Sequence, residues 1–455
     1  MIEKYYSGVI EQIYNRIGKE TRNIVMANYS NDFSIENLEV IRRYQSNEDN
    51  VFFAYSEFSY NTLVGAYEPF LDIICNMHRR FIGGSFDDFQ KECGVYYLHR
   101  QVLNSYYETG ECFREETVLL NEVAYEQRRM TMAIADMLKK LSEVKPLMIV
   151  INRFQMASKS SIETIKYLID NPCANIGIVL GVNAIVKGTD STVEVWDRIV
   201  ESLEDRSAIY YIGSAGPLKN NVKTTNDDEL YITMNFEQSI QEASNIMEFL
   251  DFEQARRGCR IIEHKLKFED AWIDEKSLRR FYMVYARTSV LLGEMSKAIE
   301  LTNEYKALIP ENDSEHYLSL YYFMKGTCYM YQGKLEKAGN SAKSAYDYAV
   351  LAEDDTLIFK AELLSVMIKM SGWYNIFFCV QDIPVSDEII EKLIKHGYRN
   401  HLAHIYIYAY DNSRDVVKQS FYDESLLKHF TKGLELAKEI GNEQLVYDAY
   451  QKTIM

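Results

Sequence analysis

One stretch, Pro146 to Ile162, constrains the fold of this chain more than any other. It reads PLMIVINRFQMASKSSI, so a proline is followed by an unbroken apolar run and then by a polar turn rich in serine. Such a run is typical of a parallel strand that is buried on both faces, and the polar turn is typical of a helix start. The stretch therefore predicts a central strand followed by its crossover helix.

Other strands and helices alternate around this stretch. Their apolar spacing changes between the two-residue period of a strand and the 3.6-residue period of a helix. This alternation predicts a three-layer α/β domain with a parallel sheet over residues 1–235. The predicted strands are 22–27, 51–55, 147–151, 175–182, 208–212 and 230–234, and the main predicted helices are 2–17, 34–45, 115–143, 161–170 and one that starts after Pro69.

Toward the carboxyl terminus the apolar spacing is helical throughout, and repeated turns appear. Gly293, Gly333 and Gly372 recur 40 and 39 residues apart, which is the scale of a helical hairpin. An alanine follows five positions after each of the first two glycines, where the two helices of a hairpin cross closely. We therefore predict an all-α helical-hairpin solenoid over residues 236–455, with an insertion at about 380–400.

The repeated turns resemble those of tetratricopeptide-type repeats. The small and aromatic positions of that repeat are matched by Gly326, Tyr329, Gly333, Ala338 and Ala345. The resemblance implies a groove that is lined by the first helix of each hairpin and that binds an extended or helical peptide. The positions it assigns to this groove are Arg280, Met283, Arg287, Val290, Leu320, Phe323, Thr327, Met330, Phe359, Glu362, Val366 and Lys369.

The opening stretch resembles the Walker B region of the signal-transducing ATPases of the AAA-related STAND class. In that class an apolar strand ends in two acids, and a third acid follows shortly before the next helix. Here the first two positions fall on Asn152 and Arg153, and the third falls on Ser158. The resemblance therefore implies a degenerate P-loop NTPase-like fold in which the acids have been replaced.

The phosphate-binding loop expected after the first strand is also missing. Residues 27–36 read ANYSNDFSIE, without the glycines and the lysine of a GxxxxGK[ST] loop. Gly18-Lys19-Glu20-Thr21 precedes the strand and does not fit the pattern. Because a magnesium ligand, a base and a phosphate cradle are all lacking, we predict no enzymatic activity, no catalytic residue and no cofactor.

Three histidines form the best candidate metal cluster in the sequence. His401 and His404 are three residues apart on a predicted helix, and His396 lies close by. This spacing is compatible with metal binding, but no cysteine is near them in sequence. We predict that these side chains pack a hairpin, and we assign no metal site.

Charge and apolar runs limit the compartment and the partners. The formal charge of −17 repels nucleic acid, and the arginine pairs are isolated, so we expect no direct contact with nucleic acid. The amino terminus lacks the pattern of a signal peptide, and no run of 18 apolar residues occurs. These features predict a cytoplasmic protein without a membrane segment.

The sequence thus predicts a non-catalytic regulatory or scaffold protein. Its repeats would bind a protein or peptide partner, and its hydrolysis-dead ATPase-like domain would serve for docking or dimerisation. Two alternatives stay open. The chain could be a signalling ATPase with unorthodox nucleotide contacts, or the sensory part of a transcription or second-messenger regulator. The repeat array has no polar capping helix, which favours the second alternative or self-association into a homo-oligomer.

Overall fold

The chain folds into two compact units. The sheet unit comprises Met1–Val95, His99–Phe113 and Asn121–Trp272, and the helical unit comprises Tyr96–Leu98, Arg114–Leu120 and Ile273–Met455. The structure is a computed structural model, and it describes residues 2–29, 38–46, 50–59, 63–116, 118–183, 192–213, 235–268, 273–312, 314–375, 387–409 and 424–454.

A five-stranded parallel sheet forms the centre of the sheet unit. Its strand order is β2-β3-β4-β1-β5, and every described pairing is parallel. Parallel strands need crossover connections, and the helices that provide them bury both faces of the sheet. The strands are β1 (Ile24–Tyr29), β2 (Phe52–Glu57), β3 (Leu147–Asn152), β4 (Ile176–Asn183) and β5 (Ile209–Ile212).

Helices cover the sheet on both faces, so the predicted α/β architecture is confirmed. Ile10 and Ile13 pack with Val150 and Val179 in one apolar cluster on the first face. Strand residues that point the other way, such as Ile149, are fully buried as well. The helices are α1 (Ile2–Arg16), α2 (Glu39–Ser46), α3 (Phe70–Met77), α4 (Phe86–Glu92), α5 (Tyr97–Thr109), α6 (Val123–Val144), α7 (Lys159–Asp170), α8 (Val193–Glu204), α9 (Phe236–Glu248) and α10 (Phe252–Phe268).

Some predicted elements differ from the structure. β1 runs to Tyr29, so residues 27–29 belong to the strand and not to a loop. The predicted helix at 115–143 is wrong at its start, because α6 begins at Val123 and the residues before it are not α-helical. The apolar residues Val118 and Leu119 misled the helical pattern, since they are buried in a non-helical segment. The strand predicted at 230–234 lies outside the described residues.

The described part of the helical unit consists of helices that pack on their neighbours in chain order. This confirms the all-helical prediction for the carboxyl-terminal region. The helices are α11 (Glu275–Leu291), α12 (Met295–Ala307), α13 (Ser314–Tyr331), α14 (Leu335–Leu351), α15 (Asp355–Asn375), α16 (Asp387–Lys395), α17 (Arg399–His404), α18 (Glu424–Ile440) and α19 (Glu443–Ile454), with a π-helical turn at Ile405–Ala409.

Glycine ends the first helix of two hairpins as predicted. Gly293 follows α11 and Gly333 follows α13, with φ angles of 78° and 70° that favour glycine. Small residues allow α13 to lie close to α14 and α15. A Cβ atom added to Gly326 of α13 would lie 3.0 Å from Leu364 and 3.3 Å from the Cβ of Ser341, and Ala338 is fully buried.

The third predicted turn is wrong, because Gly372 lies inside α15, which continues to Asn375. A single glycine within a helix costs only about 1 kcal/mol relative to alanine, so it does not have to end the helix. The boundary between the units also differs from the predicted one at 235/236. Residues of α9 and α10 belong to the sheet unit, although their sequence pattern is helical. Among the described residues, no helix combines the length and apolar character needed to cross a lipid bilayer.

Candidate functional site

The carboxyl edge of the sheet is the first candidate site, because parallel α/β sheets bind ligands outside the carboxyl ends of their strands. β1 and β3 end at this edge, on either side of β4. The hydroxyl of Tyr29, the last residue of β1, donates to Oδ1 of Asn152, the last residue of β3, at 2.7 Å. Both residues are fully buried. The oxygen of Asn152 is therefore committed to an internal hydrogen bond.

Tight packing on β4 closes the same place. A Cβ atom added to Gly181 would collide with the hydroxyl of Tyr6, and it would lie 2.7 Å from Oδ1 of Asn152. The rings of Tyr6 and Tyr29 meet edge to face, with centroids 6.5 Å apart. Burial raises the pKa of the Tyr6 hydroxyl, so this group stays neutral. Neutral side chains thus fill the space between the carboxyl ends of β1, β3 and β4.

Arg153 follows directly after β3 and forms an internal ion pair. Its Nη1 lies 3.1 Å from Oε1 of Glu57, and the same nitrogen donates to the backbone carbonyl of Phe58 at 3.3 Å. The two charged side chains are 21% and 16% exposed. Arg153 has a φ angle of 55°, a left-handed conformation that is uncommon for residues other than glycine.

Ser158, the third degenerate position, is the N-cap of α7. Its side chain accepts a hydrogen bond from the N–H of Ser161. The backbone N–H of Ser160, in the first turn of α7, donates to Oδ2 of Asp251 at 3.0 Å. Asp251 lies between α9 and α10 and also accepts from the N–H of Gln254 at 3.3 Å. The carboxyl group of Asp251 thus occupies the helix start at which a phosphate would otherwise be favoured, and burial raises its pKa.

The sheet unit also contains a cavity of about 320 Å³, which is lined by the carboxylates of Glu68, Asp72 and Glu242. The N–H of Gly65 donates to Oε2 of Glu68 at 2.9 Å, and the hydroxyl of Tyr106 donates to Asp72 at 3.0 Å. Burial raises the pKa of Glu242 to about 7, and the charges of Glu68 and Asp72 add to this effect. Burial also raises the pKa of Glu68, although the Gly65 N–H opposes the shift.

The predicted partner-binding positions divide into buried and accessible residues. Val290, Met330 and Phe359 are interior residues, and Phe359 stacks on His396 with ring centroids 4.5 Å apart. Glu362 forms an ion pair with Lys392 at 2.7 Å. Arg280 and Lys369 are exposed, and the half-buried positions are Met283, Arg287, Leu320, Phe323, Thr327 and Val366.

The three histidines are packing residues in the structure. His401 and His404 are buried, and His404 stacks on Tyr408 with centroids 5.5 Å apart. Nδ1 of His401 lies 2.6 Å from the carboxylate of Glu116. Within the described parts of the chain, no group of three or more histidine, cysteine, aspartate and glutamate side chains could hold a metal ion.

Sequence reasoning missed the acidic partners Glu57, Glu116 and Asp251. A weak signal existed for Glu57, because it ends the strand that pairs with β3, and it stands opposite Asn152 in the sheet register. Asp251 and Glu116 gave no signal, since their partners are 91 and 285 residues away in sequence. Comparison of the chain with protein-family models, curated proteins and solved structures finds no match.

Proposed function

We propose that this chain is a non-catalytic regulatory or scaffold protein that binds a protein or peptide partner through its helical unit. In this proposal the hairpins are tetratricopeptide-like repeats. The sheet unit is a degenerate STAND-type ATPase domain that has lost hydrolysis and serves for docking or dimerisation.

The observation that carries the proposal is the internal pairing at the carboxyl edge of the sheet. Asn152 accepts a hydrogen bond from Tyr29, and Arg153 forms an ion pair with Glu57. Phosphoryl transfer depends on a metal ion between carboxylate and phosphate oxygens and on a group that orients the nucleophile. A buried amide and a paired guanidinium supply neither of these, so they support a structural role for this edge.

The helical unit offers the better surface for a partner. Arg280 and Arg287 are seven residues apart on α11, so they share one face of the helix. Arg280 is exposed and Arg287 is half-buried. Two accessible arginines on an acidic chain favour a partner that carries carboxylates at this position.

Affinity capture from native lysate tests this proposal. We expect the wild-type chain to retain a specific protein, and the double variant Arg280→Glu, Arg287→Glu to lose it. The matched control reverses two exposed charges at the second helix of a hairpin, with Lys334→Glu at the N-cap of α14 and Lys343→Glu within α14, and it should retain the protein. Equal capture by all three chains would contradict binding through α11.

A further inference from the structure

One segment of the helical unit comes from a distant part of the sequence. Arg114–Leu120, named the acidic segment here, lies between α5 and α6 but belongs to the helical unit. Arg114 and Glu116 are buried, while Glu115 between them is exposed. Glu115 and Glu116 lie in bends, and neither is part of a helix or a strand. The helical unit therefore holds a non-helical stretch of the chain.

The side chain of Glu116 anchors the acidic segment. Its carboxylate accepts hydrogen bonds from the backbone N–H of Asn400 at 3.2 Å and of His401 at 2.6 Å. Nδ1 of His401 lies 2.6 Å from the same carboxylate, so this nitrogen carries the proton that it donates. Glu116 is fully buried, and a buried carboxylate needs donors that replace its water. The helical unit supplies three of them.

Two tyrosines bind the backbone of the acidic segment. The hydroxyl of Tyr398 donates to the carbonyl of Glu115 at 2.6 Å, and the hydroxyl of Tyr331 accepts from the N–H of Leu120 at 3.3 Å. Val118 and Leu119 are buried. Contacts to backbone atoms suit a peptide of any sequence in this conformation, whereas the donors to the carboxylate and the buried apolar side chains select a sequence.

Residues outside the acidic segment hold the donors in place. Oδ1 of Asn400 accepts from the hydroxyl of Tyr96 at 3.0 Å and from Nδ2 of Asn442 at 2.9 Å. Oδ1 of Asn442 in turn accepts from the N–H of Leu445 at 3.1 Å. The donor group is therefore fixed by contacts that do not depend on Glu116, as a preorganised binding site requires.

We propose that Tyr331, Tyr398, Asn400 and His401 form a recognition site for a non-helical peptide, and that the acidic segment occupies this site as an autoinhibitory ligand. The matching partner peptide carries a carboxylate that is followed two and three positions later by apolar residues. This inference rests on the proposed partner-binding function and adds to it the class of partner and the contact that restrains binding. A tethered ligand acts at an effective concentration in the millimolar range, so it keeps weak partners out.

A labelled peptide tests the site directly. In the full chain, residues 114–120 are replaced by alternating glycine and serine, and a fluorescein-labelled peptide of residues 113–121 is titrated while its anisotropy is measured. We expect binding at least about tenfold tighter to this chain than to the wild type, whose own segment competes. Glu116→Gln in the peptide, or His401→Ala in the replaced chain, should each weaken binding by about tenfold.

The absence of peptide binding to a replaced chain whose circular dichroism matches the wild type would overturn the proposal. If the replaced chain fails to fold, hydrogen exchange on the wild type tests the proposal instead. There we expect the amides of Val118 and Leu119 to exchange by local opening, faster than those of α13, and equal protection would overturn the proposal. If the peptide fails but capture through Arg280 and Arg287 persists, the proposed function stands without this inference.

Discussion

The sheet edge and the helical hairpins differ in where their polar side chains lie. At the sheet edge, Tyr29 donates a hydrogen bond to Asn152, and Arg153 forms an ion pair with Glu57. These polar groups are therefore bound within the fold. In the hairpins, small residues such as Ala338 lie in the helix crossings and leave longer side chains on the outer faces. The difference teaches that the polar groups at the sheet edge stabilise the fold, whereas the hairpins leave side chains accessible to a partner.

The largest expected effect concerns the helix crossings of the hairpins. Leucine at Gly326 would push against Leu364 and Ser341, and we expect it to lower the free energy of unfolding by about 3 kcal/mol. Gly339 is the matched control, because a Cβ atom there meets nothing within 4 Å. Gly339→Leu should stabilise the helix by about 0.5–1 kcal/mol through its higher helix propensity. Urea denaturation of both variants measures the difference, and equal effects would show that the crossing is loose.

The next effect concerns the ion pair at the sheet edge. Arg153→Ala leaves Glu57 without this partner and should destabilise the protein by about 2 kcal/mol, since the pair is mostly buried. Arg153→Gly removes the same ion pair but tolerates the φ angle of 55°, so it should cost less. Thermal melting of the two variants, with Glu57→Gln for a double-mutant cycle, checks this ranking. A melting curve of Arg153→Ala that matches the wild type would remove the ion pair from the argument.

A smaller effect depends on pH and on the acidic cavity of the sheet unit. The pKa of Glu242 is raised to about 7 in the folded protein from an ordinary 4.5, so folding favours its protonated form. Its contribution to stability is complete below pH 4.5 and is lost as the pH rises through 7. Glu242→Gln, which is neutral at every pH, should therefore stabilise the protein by about 1–2 kcal/mol at pH 8, less than the full pKa shift implies because solvent reaches the side chain, and by almost nothing at pH 4.

Melting temperatures of the wild type and of Glu242→Gln at the two pH values test this linkage. The same gain at both pH values would mean that removal of a charge is not its origin. Glu68→Gln offers a comparison within the same cavity, because burial raises the pKa of Glu68 as well.

Local sequence patterns predict much of the fold but little of the site. β3 and α7 follow from the apolar run and the serine-rich turn, and Gly333 ends α13 because its φ angle is positive. The pairing of Arg153 with Glu57 depends on the register of β2 against β3, which a single strand does not specify. The predicted start of the helix at 115–143 was wrong for a related reason. Glu116 is stabilised by donors 285 residues away, and these long-range contacts outweigh local helix propensity.

Calorimetric titration of Mg²⁺ and ATP into the full-length chain tests most directly whether the sheet edge has lost its nucleotide site. We expect no binding at nucleotide concentrations up to the millimolar range, because Asn152 is hydrogen-bonded to Tyr29 and Arg153 forms an ion pair with Glu57. Micromolar binding that disappears in the Arg153→Ala variant would contradict this expectation, and it would show that the sheet edge binds nucleotide.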